Sequence, residues 1–119
     1  MADITLKHID ELESHDGNGR FLFARRGLGV TSFGMNVERF PAGWDSYPEH
    51  DHAEDGQEEV YFVLDGSAQL VAGDESFELT EGTFARVGPG QKRKLVPGEN
   101  GVTLLAIGGL PGQGFEPKV

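Results

Sequence analysis

Two histidines one residue apart, His50-Asp51-His52, stand ahead of the run Glu58-Glu59-Val60-Tyr61-Phe62-Val63-Leu64-Asp65-Gly66. Imidazole nitrogens and an ionised carboxylate are good donors to borderline divalent ions. Alternate side chains of an extended segment leave the same face, so His50 and His52 can converge on one ion. Glu59 opens an apolar strand that ends in glycine and supplies a third donor. Two histidines and one carboxylate are the facial set of non-haem iron sites, which leaves positions open for substrate or oxygen. Glu49, Gln57 and Glu58 could supply an alternative oxygen, and Asp45, Asp51, Glu54 and Asp55 add to a dense local acidity.

Short strands must position these side chains. Eighteen glycines and six prolines spread along the chain mark frequent tight turns. Residues 8–14 fit one helical turn, and Asp16-Gly17-Asn18-Gly19 a turn or loop. From Thr31 the pattern alternates, with Phe33, Met35 and Val37 on one face and Ser32, Asn36 and Glu38 on the other. It predicts a half-buried strand, broken by Pro41-Ala42-Gly43. Residues 59–64 are apolar on both faces and predict a central strand. Segments 67–72 and 76–79 flank Gly73-Asp74 as a hairpin. Strands are also expected over 83–87, 92–96 and 102–107, the last two separated by Pro97-Gly98-Glu99-Asn100-Gly101, with 108–114 an irregular strap. Many short strands without a long helical period predict an all-β sandwich or barrel.

A chain of 119 residues makes one domain with one ordinary core. The net charge of −10, from ten basic and twenty acidic residues, disfavours binding to a phosphate backbone. Lys92-Arg93-Lys94 with Arg86 is the one basic cluster, and no stacking aromatics accompany it, so no nucleic-acid partner is expected. No apolar run approaches the roughly 18 residues that would span a membrane. The first five residues carry no basic region leading into an apolar block, so no secretory signal is expected. Cysteine is absent, which excludes disulfides, and the expected location is cytoplasmic.

With these motifs in view, the chain resembles the cupins, small antiparallel jelly-roll barrels. The family's first motif places a glycine before His-x-His, then a glutamate, then a second glycine. Here Gly43 precedes His50 by six intervening residues, His50-Asp51-His52 is intact, and six residues separate Glu59 from Gly66. The gap from His52 to Glu59, Ala53-Glu54-Asp55-Gly56-Gln57-Glu58, is two or three residues longer than the family's. The second motif runs Gly, Pro-x-Gly, His, Asn. Gly82 opens it, Gly88 stands where the proline is expected, and Pro89-Gly90 carry the turn. Arg93 then occupies the histidine position and Pro97 the asparagine, and no histidine follows His52.

The resemblance implies a single jelly-roll domain over 1–119, its barrel spanning roughly residues 20 to 108 between N- and C-terminal straps. It implies a homodimer joined through outer strands, which would also cover strand edges. It places the active site in the barrel mouth, as in metal-dependent cupin dioxygenases, isomerases and decarboxylases. The ligand would be a small molecule, and the ion iron, manganese, nickel or zinc on His50, His52 and Glu59. Arg93 and Tyr61 are the catalytic candidates. An Arg93 facing the mouth would grip a substrate carboxylate or phosphate as a two-pronged donor. Tyr61 shares a face with Glu59 and Val63, so its phenol would turn into the pocket or pack in the barrel wall with its hydroxyl bonded. Tyr47 is a second lining candidate, while Trp44, Phe62 and Phe84 are expected in the core or at a subunit contact, and His8 and His15 at the surface.

Arg93 also opens a competing outcome. A guanidinium has no lone pair and cannot ligate. Two unit charges about 4 Å apart interact by about 4 kcal/mol at a dielectric near 20, so its charge opposes an ion. An Arg93–Glu59 ion pair would then replace the metal, and the barrel would be a metal-free module that binds a small ligand. The sequence leaves both outcomes open, and the substrate with them, because one fold hosts many chemistries.

Overall fold

The computed structural model describes residues 2–113. Its strands are β1 (Phe21–Leu22), β2 (Gly34–Phe40), β3 (Glu58–Ala72), β4 (Glu75–Leu79), β5 (Phe84–Val87) and β6 (Lys94–Gly109). One short helix, α1 (Ala24–Leu28), and two 3-10 turns (Ile9–Glu11 and His15–Gly17) precede β2. All pairings are antiparallel, in the order β1-β2-β6-β3-β4, and β5 pairs with β3 beside its start. The expected all-β, antiparallel architecture is what the chain adopts.

Two long strands organise the sheet. Residues 58–66 of β3 pair with 102–109 of β6, and 68–71 pair with 94–97, with register shifts at Val63/Asp65 and Gly66/Ala68. Turn residues at 65–66 and 97–101 predict a break in each of these strands. They run through as continuous bent strands because glycines absorb the bend. Gly66 and Gly101 have φ of 76° and 75°, and a Cβ on Gly66 would strike the Gly101 carbonyl oxygen. Residues from both halves of the bend, among them Tyr61, Val63, Leu70, Leu95 and Leu104, pack into one core. The bend therefore folds the sheet onto itself. Between β3 and β4 the expected hairpin forms: Ala72 faces Glu75 across Gly73-Asp74, and Gly73 has φ 66°.

The alternation read in β2 is present, but its sides are not inside and outside. Val37 is buried on the outer face, against Leu22 and Ala24, with Ile9, Leu12, Met35 and Leu105 around it. The N-terminal segment and α1 thus roof that face. Glu38, expected among the solvated residues, is buried on the inner face together with Phe40. The strand is covered on both sides.

Trp44 packs on the core from its edge, its ring 4.5 Å from Phe40's. Phe62 and Phe84 pack 4.1 Å apart on the outer face of the sheet, where Phe84 is exposed. His8 and His15 are exposed as expected. Of the C-terminal strap, Gly108 and Gly109 belong to β6, and Gly114 lies outside the described residues. Among the described residues no helix is long and apolar enough to cross a membrane.

Candidate metal centre

The two sequence motifs meet as one piece of backbone. His50 and Arg93 form an antiparallel bridge, with the His50 N–H donating to the Arg93 carbonyl at 3.0 Å and the Arg93 N–H to the His50 carbonyl at 2.9 Å. The His52 N–H donates to the Pro89 carbonyl at 2.8 Å, so the Pro89-Gly90 turn fixes the second histidine. Glu59 and Tyr61 lie two residues apart on β3 and share its inward face.

These elements bring the three expected ligands together. The Nε2 atoms of His52 and His50 lie 3.5 and 3.9 Å from Glu59 Oε1, and the three donors all lie within 4.8 Å of one another. Metal bonds of about 2.1 Å place neighbouring donors about 3.0–3.4 Å apart, so this set would have to draw closer together around an ion.

Both rings are anchored by the opposite nitrogen. His50 Nδ1 is 2.9 Å from the Pro48 carbonyl. A carbonyl only accepts, so the hydrogen sits on Nδ1, and a neutral ring keeps its lone pair on Nε2. His52 Nδ1 is 3.1 Å from both carboxylate oxygens of Asp55. The Gln57 backbone N–H and then the His52 ring hold the Asp55 carboxyl below its usual range, so it too accepts from Nδ1–H. Asp55 comes from the long gap between the histidines and Glu59. That loop folds back through the Gly56 N–H, which donates to the His52 carbonyl at 2.7 Å. An anion or carbonyl behind each imidazole fixes its tautomer and strengthens it as a ligand. His52 Nε2 is buried and has no hydrogen-bond partner. A neutral His52 therefore turns a lone pair toward a carboxylate oxygen, an arrangement that a cation completes.

The Arg93 side chain is buried. It is 0% exposed, and NH2 pairs with Glu59 Oε1 while Nε donates to the Tyr61 hydroxyl at 3.3 Å and NH1 to the Gln91 carbonyl at 2.9 Å. Burial opposes its charge, but Tyr61 and Glu59 more than offset that, so its pKa lies above the ordinary value. The expectation that Arg93 grips a substrate anion is thus met by a guanidinium already engaged with internal acceptors. The ion pair expected as the alternative is formed.

Tyr61 is fully buried and turned inward, packed in the barrel wall with its hydroxyl bonded. Its hydroxyl donates to Glu59 Oε1 at 3.0 Å. Having one hydrogen, it must accept from Arg93 and from the Tyr47 hydroxyl, 3.1 Å away. Burial raises both phenol pKa values; the Glu59 charge adds to this at Tyr61, and that of Glu38 at Tyr47. Of the alternative oxygens, Glu58 pairs with Arg86, Gln57 bonds Asp55, and Glu49 is exposed.

Sequence reasoning missed Glu38. It is 4% exposed, and burial, then the Glu59 charge, push its carboxyl up to about 8, with Arg93 acting in the other direction. Its Oε1 has no hydrogen-bond partner. The available signal was Phe40, two residues on and on the same face. A phenylalanine there argues that this face looks inward.

Residues 36–108, more than half of the chain, match the cupin domain family. Among solved structures, a cupin protein from Bacteroides fragilis superposes with a TM-score of 0.75 at 19% identity, covering 99% of this chain and 93% of that one. A protein with a double-stranded β-helix domain from Klebsiella pneumoniae gives 0.70 at 19% identity, over 93% and 94%. A protein of Silicibacter pomeroyi described as a sugar phosphate isomerase of the cupin superfamily gives 0.70 at 20% identity, over 88% and 75%. At these identities the likeness is one of fold. No functionally curated protein matches the sequence.

Proposed function

Because this chain belongs to the cupin superfamily, we propose that it binds one divalent ion, iron, manganese, nickel or zinc, through His50, His52 and Glu59 at the barrel mouth. There it acts on a small molecule as an isomerase or oxygenase. The observation that carries this is the pair of anchored imidazoles, both aiming Nε2 at one Glu59 oxygen, with that of His52 buried and unpartnered. Bound there, the ion would supply Lewis acidity, polarising a substrate oxygen or activating dioxygen. Asp51, Glu54 and Asp55 line a depression of about 310 Å³ beside His52, and their charge raises the local cation concentration. Tyr61 holds the carboxylate of Glu59 in place from below. Since Arg93 is already engaged by Glu59, Tyr61 and Gln91, an anionic substrate would be recognised by the open positions of the ion. The isomerase of Silicibacter pomeroyi that shares the fold makes sugar phosphates the first substrate class to try. We further assign a homodimer through the outer face that carries Phe62, Leu64 and Phe84, working in the cytoplasm.

One observation favours a second function, a metal-free module that binds a small ligand: Arg93 already neutralises the oxygen an ion would need. Metal content of untagged protein, measured by mass spectrometry beside a His50→Ala, His52→Ala double variant, separates the two. Near-stoichiometric metal that vanishes in the variant supports the metal enzyme. Protein that takes up no ion even from excess iron, manganese, nickel or zinc supports the module.

A further inference from the structure

A large aromatic side chain on the inward face of the sheet is left half uncovered. Phe77 of β4 lies opposite Leu70 of β3 and two residues from Leu79, which lies opposite Ala68. Leu70, Leu79 and Ala68 all belong to the core. Directly opposed residues share a face, as do alternate residues of a strand, so Phe77 points inward with them. Yet Leu70 and Leu79 are 7% and 4% exposed, whereas Phe77 is 49% exposed. The inward face runs out of partners there, and a cavity of about 390 Å³ opens over it.

Resting on the reading that this barrel takes a small molecule, we propose that the cavity holds that molecule's body. Its occupant is an uncharged ring, aromatic or alicyclic, that carries a hydroxyl or amine donor, and Phe77 is the residue that selects it. The volume lies within the roughly 300–1,000 Å³ of small-ligand clefts. Leu70, Ala72, Phe77 and Val87 give it an apolar lining, and the walls come from β3, β4 and β5, so the occupant must be small enough to enter between them.

The charges of the lining disfavour an anion. Two cations border the cavity and both are neutralised, Arg86 by Glu58 and Arg93 by Glu59. Glu75, opposite Ala72 on the same face, is exposed and forms no ion pair among the described residues. Its carboxylate accepts a hydrogen bond from a hydroxyl or amine and repels a phosphate. The cavity also adjoins the candidate metal centre. Val87 lies opposite Glu59 across β5 and β3, and Arg93 bonds Glu59. A ring seated on Phe77 and Leu70 is thereby brought beside the carboxylate that would hold the ion, whereas a sugar phosphate meets an apolar lining and a repelling charge.

The test is an NMR titration that follows the methyl groups of Leu70 and Val87. Indole, phenol and cyclohexanol are the probes and glucose 6-phosphate the anionic comparator, on chelator-treated and on zinc-loaded protein. At least one uncharged ring compound should give saturable shifts at both residues. Phe77→Ala should weaken that binding about tenfold, the scale of one lost ring contact. Ala72→Trp, which fills the cavity from a half-buried position beside the hairpin, should abolish it. Phe77 is half exposed, so its truncation removes little of the core, and if Ala72→Trp does not fold the Phe77→Ala comparison decides alone. No saturable shift with any of the three rings overturns the proposal, as does binding that Phe77→Ala leaves unchanged, because the ring then sits elsewhere. Glucose 6-phosphate binding more tightly than every ring compound, and losing that binding in Phe77→Ala, overturns the chemical class. Protein that takes up no zinc but binds a ring compound removes the metal centre and leaves the cavity standing, whereas protein that takes up zinc and binds no ring removes the cavity alone.

Discussion

Glu38 gives the barrel a pH dependence that a single substitution should erase. In the unfolded chain its carboxyl ionises near pH 4.5, whereas in the metal-free barrel it holds its proton up to about pH 8. Between those values the folded state binds the extra proton, so stability falls as pH rises. The contribution is whole below pH 4.5 and is lost as pH climbs through about 8. At about 1.4 kcal/mol per pH unit this amounts to at most about 5 kcal/mol, a large share of the 5–15 kcal/mol that holds a typical domain together. Glu38→Gln replaces the neutral acid by a neutral group of the same shape. The variant should match wild type within about 1 kcal/mol at pH 5 and exceed it by several kcal/mol at pH 8. Urea denaturation of chelator-treated protein at pH 5, 6, 7 and 8 reads the difference from the midpoint, provided the slope is unchanged. A wild-type-minus-variant difference that stays flat across this range would refute the assignment of Glu38 as the buried neutral acid.

Three further perturbations probe the frame of the site. Asp55→Ala frees the His52 ring while removing an exposed side chain, so zinc affinity should fall about 10- to 100-fold with the urea midpoint almost unmoved; an unchanged affinity would remove Asp55 from the site. Arg93→Met strands Glu59 and should cost the metal-free protein about 3–5 kcal/mol. Saturating zinc should therefore raise its melting temperature more than it raises wild type's, and an equal rise in calorimetry would count against the ion pair as the ion's competitor. Gly66→Ala meets both a positive φ and the Gly101 carbonyl oxygen, whereas Gly73→Ala has the same sign of φ and open space. The first should cost clearly more than the roughly 1–2 kcal/mol expected of the second, and equal costs in urea denaturation would mean that the bend at Gly66 relaxes freely.

The fold class was readable because strand signals are local: turn residues every few positions, apolar runs of strand length, and a two-residue hairpin at Gly73-Asp74. That His50, His52 and Glu59 could cluster was readable because the two histidines alternate on one extended segment and the carboxylate opens the next strand. What the sequence concealed depends on partners far along the chain. Gly66 and Pro97 to Gly101 carry the signature of strand ends, and only the close approach of Gly66 to Gly101 turns them into bends inside two continuous strands. Arg93 sits at a family ligand position, but whether it faces solvent or the core is decided by its bridge to His50. Glu38 was assigned to water because alternation gives two faces without saying which is inside. Here both are inside, one under the N-terminal segment. Asp55 lies in an insertion whose length was visible and whose contact with His52 was not.

In the strand order β1-β2-β6-β3-β4, the last of the described strands to be made is the one wedged between β2 and β3. Gly34 of β2 waits for Gly108 of β6, and Glu59 of β3 waits for the same residue. Until β6 has been made, two apolar edges stand open to any neighbouring chain, and the guanidinium that neutralises Glu59 has only just appeared. Folding of this barrel is thus a closing step between distant segments, slow by its topology. Its hazard is edge-to-edge aggregation of chains cut or stalled before β6. Expression yield should accordingly collapse for C-terminal truncations that remove β6, even though those chains keep His50, His52 and Glu59.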